Sequence, residues 1–434
     1  MLDQAALDAK AEPDSVSRLK QALSAFGLFM LFPGFVIYHS AVGVIGLSPP
    51  LGGLYGGLSA LIFGSAIVLA PLSRRIKSLQ ADVYSLFAIG YLVYVLVWTG
   101  VNYLTQHEDY VASATIQSLQ AIILWGALYF VGRHFPVNSL LMRRLCSLFL
   151  VCVVLMLGVY VISTGSVTFQ AHYFYGNEQL ATHQGYARSV LIVASFLLAV
   201  CALVWQRLVI VVLTAFALFV LGARSEFFVF LPLCGALLVF LALRDYRYAL
   251  LIVVLAIAGA IAVLLAQDVI SKSRQFLVLD LSTSASWISR SRMNEVALAQ
   301  IAGSPILGSF GGHILETGGT GSYAHNLLSA YVNYGLTGMV WYVALTGFAL
   351  LGSMERLFRT RMQEPIWLFS FSINFACFLL LVAAKSVFWP IPALGWGLYA
   401  RGRIMARKQR RLVGDLGSEK RNGTLLSETA RSLT

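Results

Sequence analysis

The sequence predicts an all-α polytopic integral membrane protein with about twelve transmembrane helices and one large loop on the outer face. Three observations support this fold class. Of the 434 residues, 58% are hydrophobic and only 12% are charged, and the mean hydropathy is +0.77. Apolar runs close to the ~20 residues that cross a bilayer recur along the chain. Such uninterrupted runs fit helices rather than barrel strands.

Hydropathy and charge divide the chain into segments. A polar cytoplasmic tail, 1–20, precedes transmembrane helices 1–9 over 21–266. A large periplasmic loop, 267–322, precedes helices 10–12 over 323–400, and a basic cytoplasmic tail, 401–434, is expected to be disordered. The first residues lack the apolar core of a cleavable signal, so we expect the first span to stay in the protein.

Within these segments, the apolar runs set the individual spans. Two short runs on either side of 222–226 predict a pair of short spans that meet at a polar point. In the large loop, 293–302 predicts a short helix that Gly303 and Pro305 close. The expected spans are 21–40, 51–71, 81–101, 113–131, 145–163, 187–206, 208–222, a run that ends at Leu243, 248–266, 323–351, 365–383 and 386–400.

The placement of charge predicts the orientation. Most lysines and arginines lie in loops that an even number of spans places on one side with both termini, and the positive-inside rule makes that side cytoplasmic. This placement accounts for most of the net charge of +12, so nucleic acid is not an expected partner. All histidines except His134 fall on or near the outer side. The basic exceptions there are Arg188, Arg224, Lys272, Arg274, Arg290, Arg292 and Lys385.

Arg224 is the sharpest single signal among these exceptions. An arginine between two apolar runs is costly in hydrocarbon and usually faces an internal cavity or a charged partner. The alternatives are a pair with Glu226 or a simple position at the outer surface. Arg188 follows a polar loop, where an interfacial anchor and an anion-binding residue are equally good interpretations.

Arg290 and Arg292 precede the predicted loop helix. A solvated face is the usual explanation of such charges, but guanidinium groups also offer paired donors that suit phosphate oxygens. Taken with Arg188 and Arg224, these arginines predict a diphosphate-binding site on the outer face.

His325 lies at the boundary between the long loop and a span, with Asn326 beside it. One interpretation is an amphipathic residue at the start of the span. The other is a neutral imidazole that takes a proton from a hydroxyl, a role that needs a pKa near the operating pH. His313 and Glu316 match no closed set of metal ligands, so no metal site is predicted. No nucleotide or other cofactor is expected, because Gly308-Ser-Phe-Gly-Gly312 lacks the strand and Lys-Ser/Thr of a phosphate loop.

A set of short motifs resembles the superfamily of O-antigen ligases and Wzy-type polymerases. The motifs are Gly222-Ala-Arg-Ser225, Arg292, Gly303-Ser-Pro-Ile-Leu-Gly308, His325-Asn326 and Gly335-Leu-Thr-Gly338, within roughly 185–345. In that family, the elements from Arg292 onwards occupy the large periplasmic loop and the helix after it, and Gly222-Ala-Arg-Ser225, between two short spans, is similar to the family's Gly-x-Arg element. The eight residues between Asn326 and Gly335 are one fewer than in most ligases, which favours a polymerase.

The resemblance implies an inverting, metal-independent glycosyl transfer on the periplasmic face of the bacterial inner membrane. It implies an undecaprenyl-diphosphate-linked glycan as donor, with Arg224, Arg188 and Arg292 at the diphosphate and His325 at the acceptor hydroxyl. Arg290 joins them through the diphosphate site that the arginines predict. Asn326, Glu226 and His313 would support the site. Membrane lipids and a chain-length regulator are candidate partners. Three alternatives stay open: a polysaccharide polymerase that uses an acceptor glycan, a ligase to lipid A–core, and a transporter or lipid-glycan flippase.

Overall fold

The computed structural model describes residues 15–45, 54–69, 82–169, 183–243, 245–265, 285–321, 323–360 and 364–410. Every regular element within these ranges is a helix. The helices, in chain order, are α1 Ser15–Leu31, α2 Pro33–Ile45, α3 Leu54–Leu69, α4 Val83–Thr105, α5 Asp109–His134, α6 Leu140–Thr164, α7 His183–Val200, α8 Val204–Val220, α9 Arg224–Ala242, α10 Tyr246–Leu265, α11 Ala285–Gly303, α12 Gly312–Thr317, α13 Leu328–Arg359, α14 Pro365–Ala383 and α15, 391–410.

Several of these helices could cross a membrane. Within the described residues, seven are long and apolar enough, namely α4, α5, α6, α7, α9, α13 and α14. The bent pair α1 and α2 could form an eighth. Helices α3, α8 and α10 are apolar over shorter stretches. The described chain is therefore all-helical and carries the apolar helices of a membrane-embedded protein.

Two helices, α7 and α14, form the centre of the bundle. Their apolar stretches are 78% and 72% buried, respectively, by neighbouring helices. Helix α14 packs against α7, α9 and α13. The first turn of α7 and the segment that follows α14 both belong to the site described below, so that site stands on the most enclosed part of the fold.

Proline bends the predicted first span. Helices α1 and α2 meet at an angle of 46°, and Pro33 is the first residue of α2. The proline ring has no N–H to donate and crowds the carbonyl four residues earlier, at Phe29. The single span predicted over 21–40 is therefore two helices joined at a kink.

Helix α13 is broken at Gly335, and the break holds the segment that follows α11 in place. Gly335 has φ 67° and ψ −177°, a conformation outside the helical region. The N–H of Leu336 donates to the carbonyl of Ile306 at 3.0 Å, not to Val332 in its own helix. The carbonyl of Val332 accepts instead from the N–H of Ser309 at 2.7 Å. The loop and the broken helix thus exchange backbone hydrogen bonds.

Two glycines allow this close approach of two backbones. A Cβ atom at Gly308, where φ is 72°, would lie 2.5 Å from the carbonyl oxygens of Tyr331 and Val332. A Cβ atom at Gly335 would lie 2.7 Å from the carbonyl oxygen of Ile306. Both glycines belong to the motifs that carry the family resemblance, and here each has a steric reason to be glycine.

The loop helix α11 is longer than the sequence predicted. It begins at Ala285, not at residue 293, and ends as predicted at Gly303. Residues 285–292 contain no glycine or proline, so no residue stops the helix earlier. Residues 267–284, which include Lys272 and Arg274, lie outside the described residues.

The predicted disorder of the basic tail is wrong for its first part, because α15 continues as a helix to residue 410. The buried carboxylate of Asp82 lies 2.8 Å from Arg403 and 3.4 Å from Arg407. An acid buried before α4 needs these cations, and their pairing holds α15 to the bundle. Residues 411–434 lie outside the described residues.

We expect Gly335→Ala to destabilise the protein. The backbone conformation alone costs about 1 to 3 kcal/mol for a residue other than glycine, and the new methyl group would contact the carbonyl of Ile306. Gly347→Ala in the same helix is the matched control, because a Cβ atom there meets nothing within 4 Å and should stabilise by up to about 1 kcal/mol. Thermal unfolding in detergent micelles compares the two; equal midpoints would contradict the steric account.

Candidate functional site

A buried ion pair lies at the centre of the candidate site. The carboxylate of Glu226, in the first turn of α9, is fully buried, and its Oε1 lies 2.7 Å from Lys385 Nζ. Its Oε2 accepts a hydrogen bond from the hydroxyl of Ser225 at 2.8 Å. Lys385 Nζ also donates to Gln184 Oε1 on α7 at 3.3 Å. The pair therefore joins α7, α9 and the segment after α14.

Backbone hydrogen bonds position Lys385. Its N–H and that of Ala384 both donate to the carbonyl of Leu380, at 2.7 and 2.8 Å, which turns the chain sharply as α14 ends. Two residues later, the N–H of Val387 donates to the hydroxyl of Ser329 at 2.8 Å. The segment that carries Lys385 is thus attached to the first turn of α13, close to His325 and Asn326.

Asn326 connects the start of α13 to the loop helix. Its Oδ1 accepts from the N–H of Leu328 at 3.0 Å, and its Nδ2 donates to Asn294 Oδ1 on α11 at 3.1 Å. The helix of the span predicted to start at Tyr323 begins at Leu328, and the Asn326 side chain accepts from the amide of that first residue. The sequence-predicted supporting residue Asn326 thus fixes its neighbour, His325, between two helices.

His325 is half-buried and lies in a field of positive charge. Its ring centre is 5.3 Å from that of Tyr323. Burial lowers the pKa of His325 to about 4, and the charges of Arg290 and Lys385 contribute to this decrease. The imidazole is therefore unprotonated at neutral pH. A general base needs a pKa near the operating pH, and the pKa of His325 in the free protein lies well below it.

Arg290 belongs to the same group of charges. It lies on α11 and is half-buried, and burial lowers its pKa while the carboxylate of Glu226 acts in the opposite direction. His325, Arg290, Lys385 and Glu226 thus act on one another electrostatically. The group contains two cations and one anion around a neutral imidazole, a balance that favours an additional anion.

The other predicted arginines differ in how they relate to this group. Arg224 is the half-buried first residue of α9, two positions before Glu226. Arg188 lies one turn after Gln184 on the same face of α7, with its guanidinium 5.6 Å from the centre of the Phe35 ring. Arg292 is exposed. It does not share a face of α11 with Arg290, because residues two apart on a helix point in different directions. The group formed by Arg290 therefore does not include Arg292.

His313 is buried on α12 and is not in contact with the ion pair of Glu226 and Lys385. Its Nε2 lies 3.2 Å from Gln117 Oε1 on α5, and burial lowers its pKa to about 4. The ring of Tyr323 lies between the two histidines, with its centre 5.9 Å from that of His313 and 5.3 Å from that of His325. In the described part of the chain, no three His, Cys, Asp or Glu side chains could together hold a metal ion.

Sequence reasoning missed Lys385 as a site residue. The sequence gave one signal, since Lys385 lies in an apolar region and is an exception to the positive-inside rule. It gave no sign that Glu226 would pair with Lys385, which is 159 positions away. From the sequence, the basic residue considered as a partner of Glu226 was Arg224, two positions away.

No protein-family model matches the chain, and no curated protein matches it. The family resemblance therefore rests on the sequence motifs alone.

We expect Glu226→Gln and Lys385→Met each to destabilise the protein by about 3 to 5 kcal/mol, because each leaves one buried charge without a partner. The double variant should lose less than the sum of the two, since it buries no charge. The exposed pair Arg359–Glu355, 2.5 Å apart, is the control, and Glu355→Gln should change stability by less than about 1 kcal/mol. Additive losses in thermal unfolding would contradict the coupling.

We also expect acid to destabilise the protein through His325. A histidine whose pKa falls from its ordinary 6.5 to about 4 on folding stabilises the folded state above pH 6.5, and this stabilisation is lost progressively as the pH falls towards 4. His325→Gln should therefore reduce the decrease in thermal midpoint between pH 7 and 4.5. The variant of the exposed His107, His107→Gln, should leave that decrease unchanged. An identical decrease in wild type and His325→Gln would count against the low pKa.

Proposed function

We propose that the protein is an inverting, metal-independent membrane glycosyltransferase. Its donor is a glycan linked to undecaprenyl diphosphate, and its acceptor is a sugar hydroxyl at the periplasmic face of the bacterial inner membrane. The observation that carries the proposal is the unprotonated imidazole of His325 beside the cations Arg290 and Lys385. A neutral base next to an excess of positive charge suits a reaction in which a hydroxyl attacks and an anion leaves.

In the proposed reaction, His325 accepts the proton of the acceptor hydroxyl as its oxygen attacks the anomeric carbon of the donor. The bond between that carbon and the diphosphate oxygen breaks with inversion, and the electron pair leaves with undecaprenyl diphosphate. Arg290 and Lys385, with Arg224 and Arg188 on the neighbouring helices, stabilise the charge that develops on the diphosphate. No cofactor takes part in this scheme.

Donor binding also makes His325 a better base. Burial lowers the pKa of free His325 most, and the charges of Arg290 and Lys385 lower it further. A diphosphate bound between these cations offsets their effect and raises the pKa towards the operating pH. The base thus gains strength when the donor is in place, by the part of the pKa decrease that the two cations cause.

We propose the full topology of about twelve spans, with both termini cytoplasmic and the site periplasmic. This count requires the bent pair α1–α2 and the helices α3, α8, α10 and α15 to cross the membrane together with the seven helices that are long enough by themselves. The opposite end of the bundle from His325 carries Asp82 with Arg403 and Arg407. A cluster of arginines is expected at a cytoplasmic surface.

Within this class, we propose a polysaccharide polymerase, for which the acceptor is a second lipid-linked glycan. The eight-residue interval between Asn326 and Gly335 favours it over a ligase to lipid A–core.

A lipid-glycan flippase is the candidate from another class, and the broken helices α1–α2 and α13 favour it, because transporters use such interruptions at substrate sites. The charged group around His325 lies at one end of the bundle, which argues against a flippase, because a transporter should carry charges through the depth of the membrane.

Purified protein incubated with undecaprenyl-diphosphate-linked repeat units tests the proposal. Products of increasing length support a polymerase, and transfer only after addition of lipid A–core supports a ligase. His325→Ala should lower turnover by about 10²- to 10⁴-fold, the usual contribution of a general base, while donor binding persists. Flipping of the substrate in vesicles without any transfer product would contradict the proposed enzyme activity.

The arginines allow a matched comparison on one helix. Arg290→Lys should raise the donor KM and lower turnover, because an ammonium group cannot reproduce the paired donors of a guanidinium. Arg292→Lys, two residues away on an exposed face, should have a much smaller effect. Equal losses in both variants, measured as kcat/KM for the lipid-linked donor, would show that the structure does not distinguish their roles.

A further inference from the structure

A small cavity separates the loop helices from the start of α13. Its volume is about 10 Å³, and the residues around it include Gln300 on α11, His313 on α12, Tyr323, and Ser329 on α13. A cavity of roughly this size accommodates one water molecule and no larger group. Apolar side chains such as Met293, Val296 and Val332 supply most of its lining, and the few polar groups among them show which hydrogen bonds an occupant must make.

The hydrogen bonds around His313 determine its tautomer. Gln117 Nε2 donates to the carbonyl of Thr320 at 2.8 Å, so the amide of Gln117 has a fixed orientation. Its Oε1 therefore faces His313 Nε2 at 3.2 Å and can only accept. Nε2 must carry the proton of the neutral imidazole, and Nδ1 presents a lone pair.

Two hydrogen-bond acceptors at this cavity are left to be satisfied. His313 Nδ1 is buried and has no hydrogen-bond partner in the described part of the chain. Gln300 Oε1 is likewise buried without a partner there. Buried acceptors of this kind are rare, and each normally has a protein or water donor. The two residues lie on different helices but line the same cavity.

We propose that this cavity is a binding site for one water molecule, which donates one hydrogen to His313 Nδ1 and the other to Gln300 Oε1. A single hydroxyl group has one hydrogen and would satisfy only one acceptor. A cation would gain no compensating charge from a neutral imidazole and an amide. Water has the size, neutrality and two donors that the lining requires.

The bound water links the loop helices to each other and thereby positions the base. It connects α11 to α12, and α11 carries Asn294, which holds Asn326 beside His325. His313 is thus a positioning residue that acts on His325 through α11. This consequence for turnover rests on the proposed function, whereas the water site itself does not.

Nuclear magnetic resonance of the full chain in nanodiscs, with ¹⁵N-labelled histidine, tests the site directly. The resonances lost in His313→Gln assign His313. We expect a protonated Nε2, an unprotonated Nδ1 that accepts a hydrogen bond, and magnetisation transfer from water protons to Nδ1. A protonated Nδ1, or no transfer from water, would overturn the proposal.

A pair of substitutions at Gln300 provides the control. Gln300→Glu keeps an acceptor and should retain the water contact at His313 Nδ1, whereas Gln300→Met removes the acceptor and should weaken or abolish it. Equal water contacts in both variants would show that Gln300 does not hold the water.

Turnover gives a separate readout. His313→Gln can still donate to Gln117 but has no acceptor at the Nδ1 position, and should lower kcat by about 10- to 100-fold with little change in KM. His107→Gln, at an exposed position, should leave kcat unchanged. If the water contact is observed but the wild type transfers no glycan, the proposed function fails while the water site stands. Normal kcat in His313→Gln would remove the positioning role.

Discussion

The buried ion pair between Glu226 and Lys385 is the interaction on which the rest of the site depends. A carboxylate with no exposure to solvent must have its charge matched inside the protein. Matching it brings α9 against α7 and against the segment that follows α14. Because Val387 in that segment is bonded to Ser329 in α13, the pair also determines where His325 lies. One electrostatic requirement thus assembles residues from distant parts of the chain.

The backbone exchange at Gly335 provides the second constraint. It fixes the segment after α11 to α13, and with it α11, which carries both Arg290 and Asn294. The two constraints meet next to His325, the first through Ser329 and the second through Asn326. The imidazole consequently has a defined environment of burial and positive charge, and that environment sets its low pKa. Chemistry at His325 would depend on contacts made far from it in the sequence.

The sequence could predict features that depend on local composition. Apolar runs located the helices, and Gly303 marked the end of α11, because these signals lie within the elements themselves. The break at Gly335 could not be predicted, since its cause is the carbonyl of Ile306 on another segment. The pairing of Lys385 with Glu226 and the contact of His313 with Gln117 likewise depend on helix packing. A single sequence contains the residues of these contacts but not their partners.

The central claim is that an anionic donor binds among the cations and activates His325. The most direct test is a titration of His325 by nuclear magnetic resonance, without ligand and with pyrophosphate or undecaprenyl diphosphate. We expect the pKa to begin at about 4 and to rise when the diphosphate binds, because the bound negative charge opposes that of Arg290 and Lys385. A pKa that stays the same or falls when saturating diphosphate is present would contradict the account.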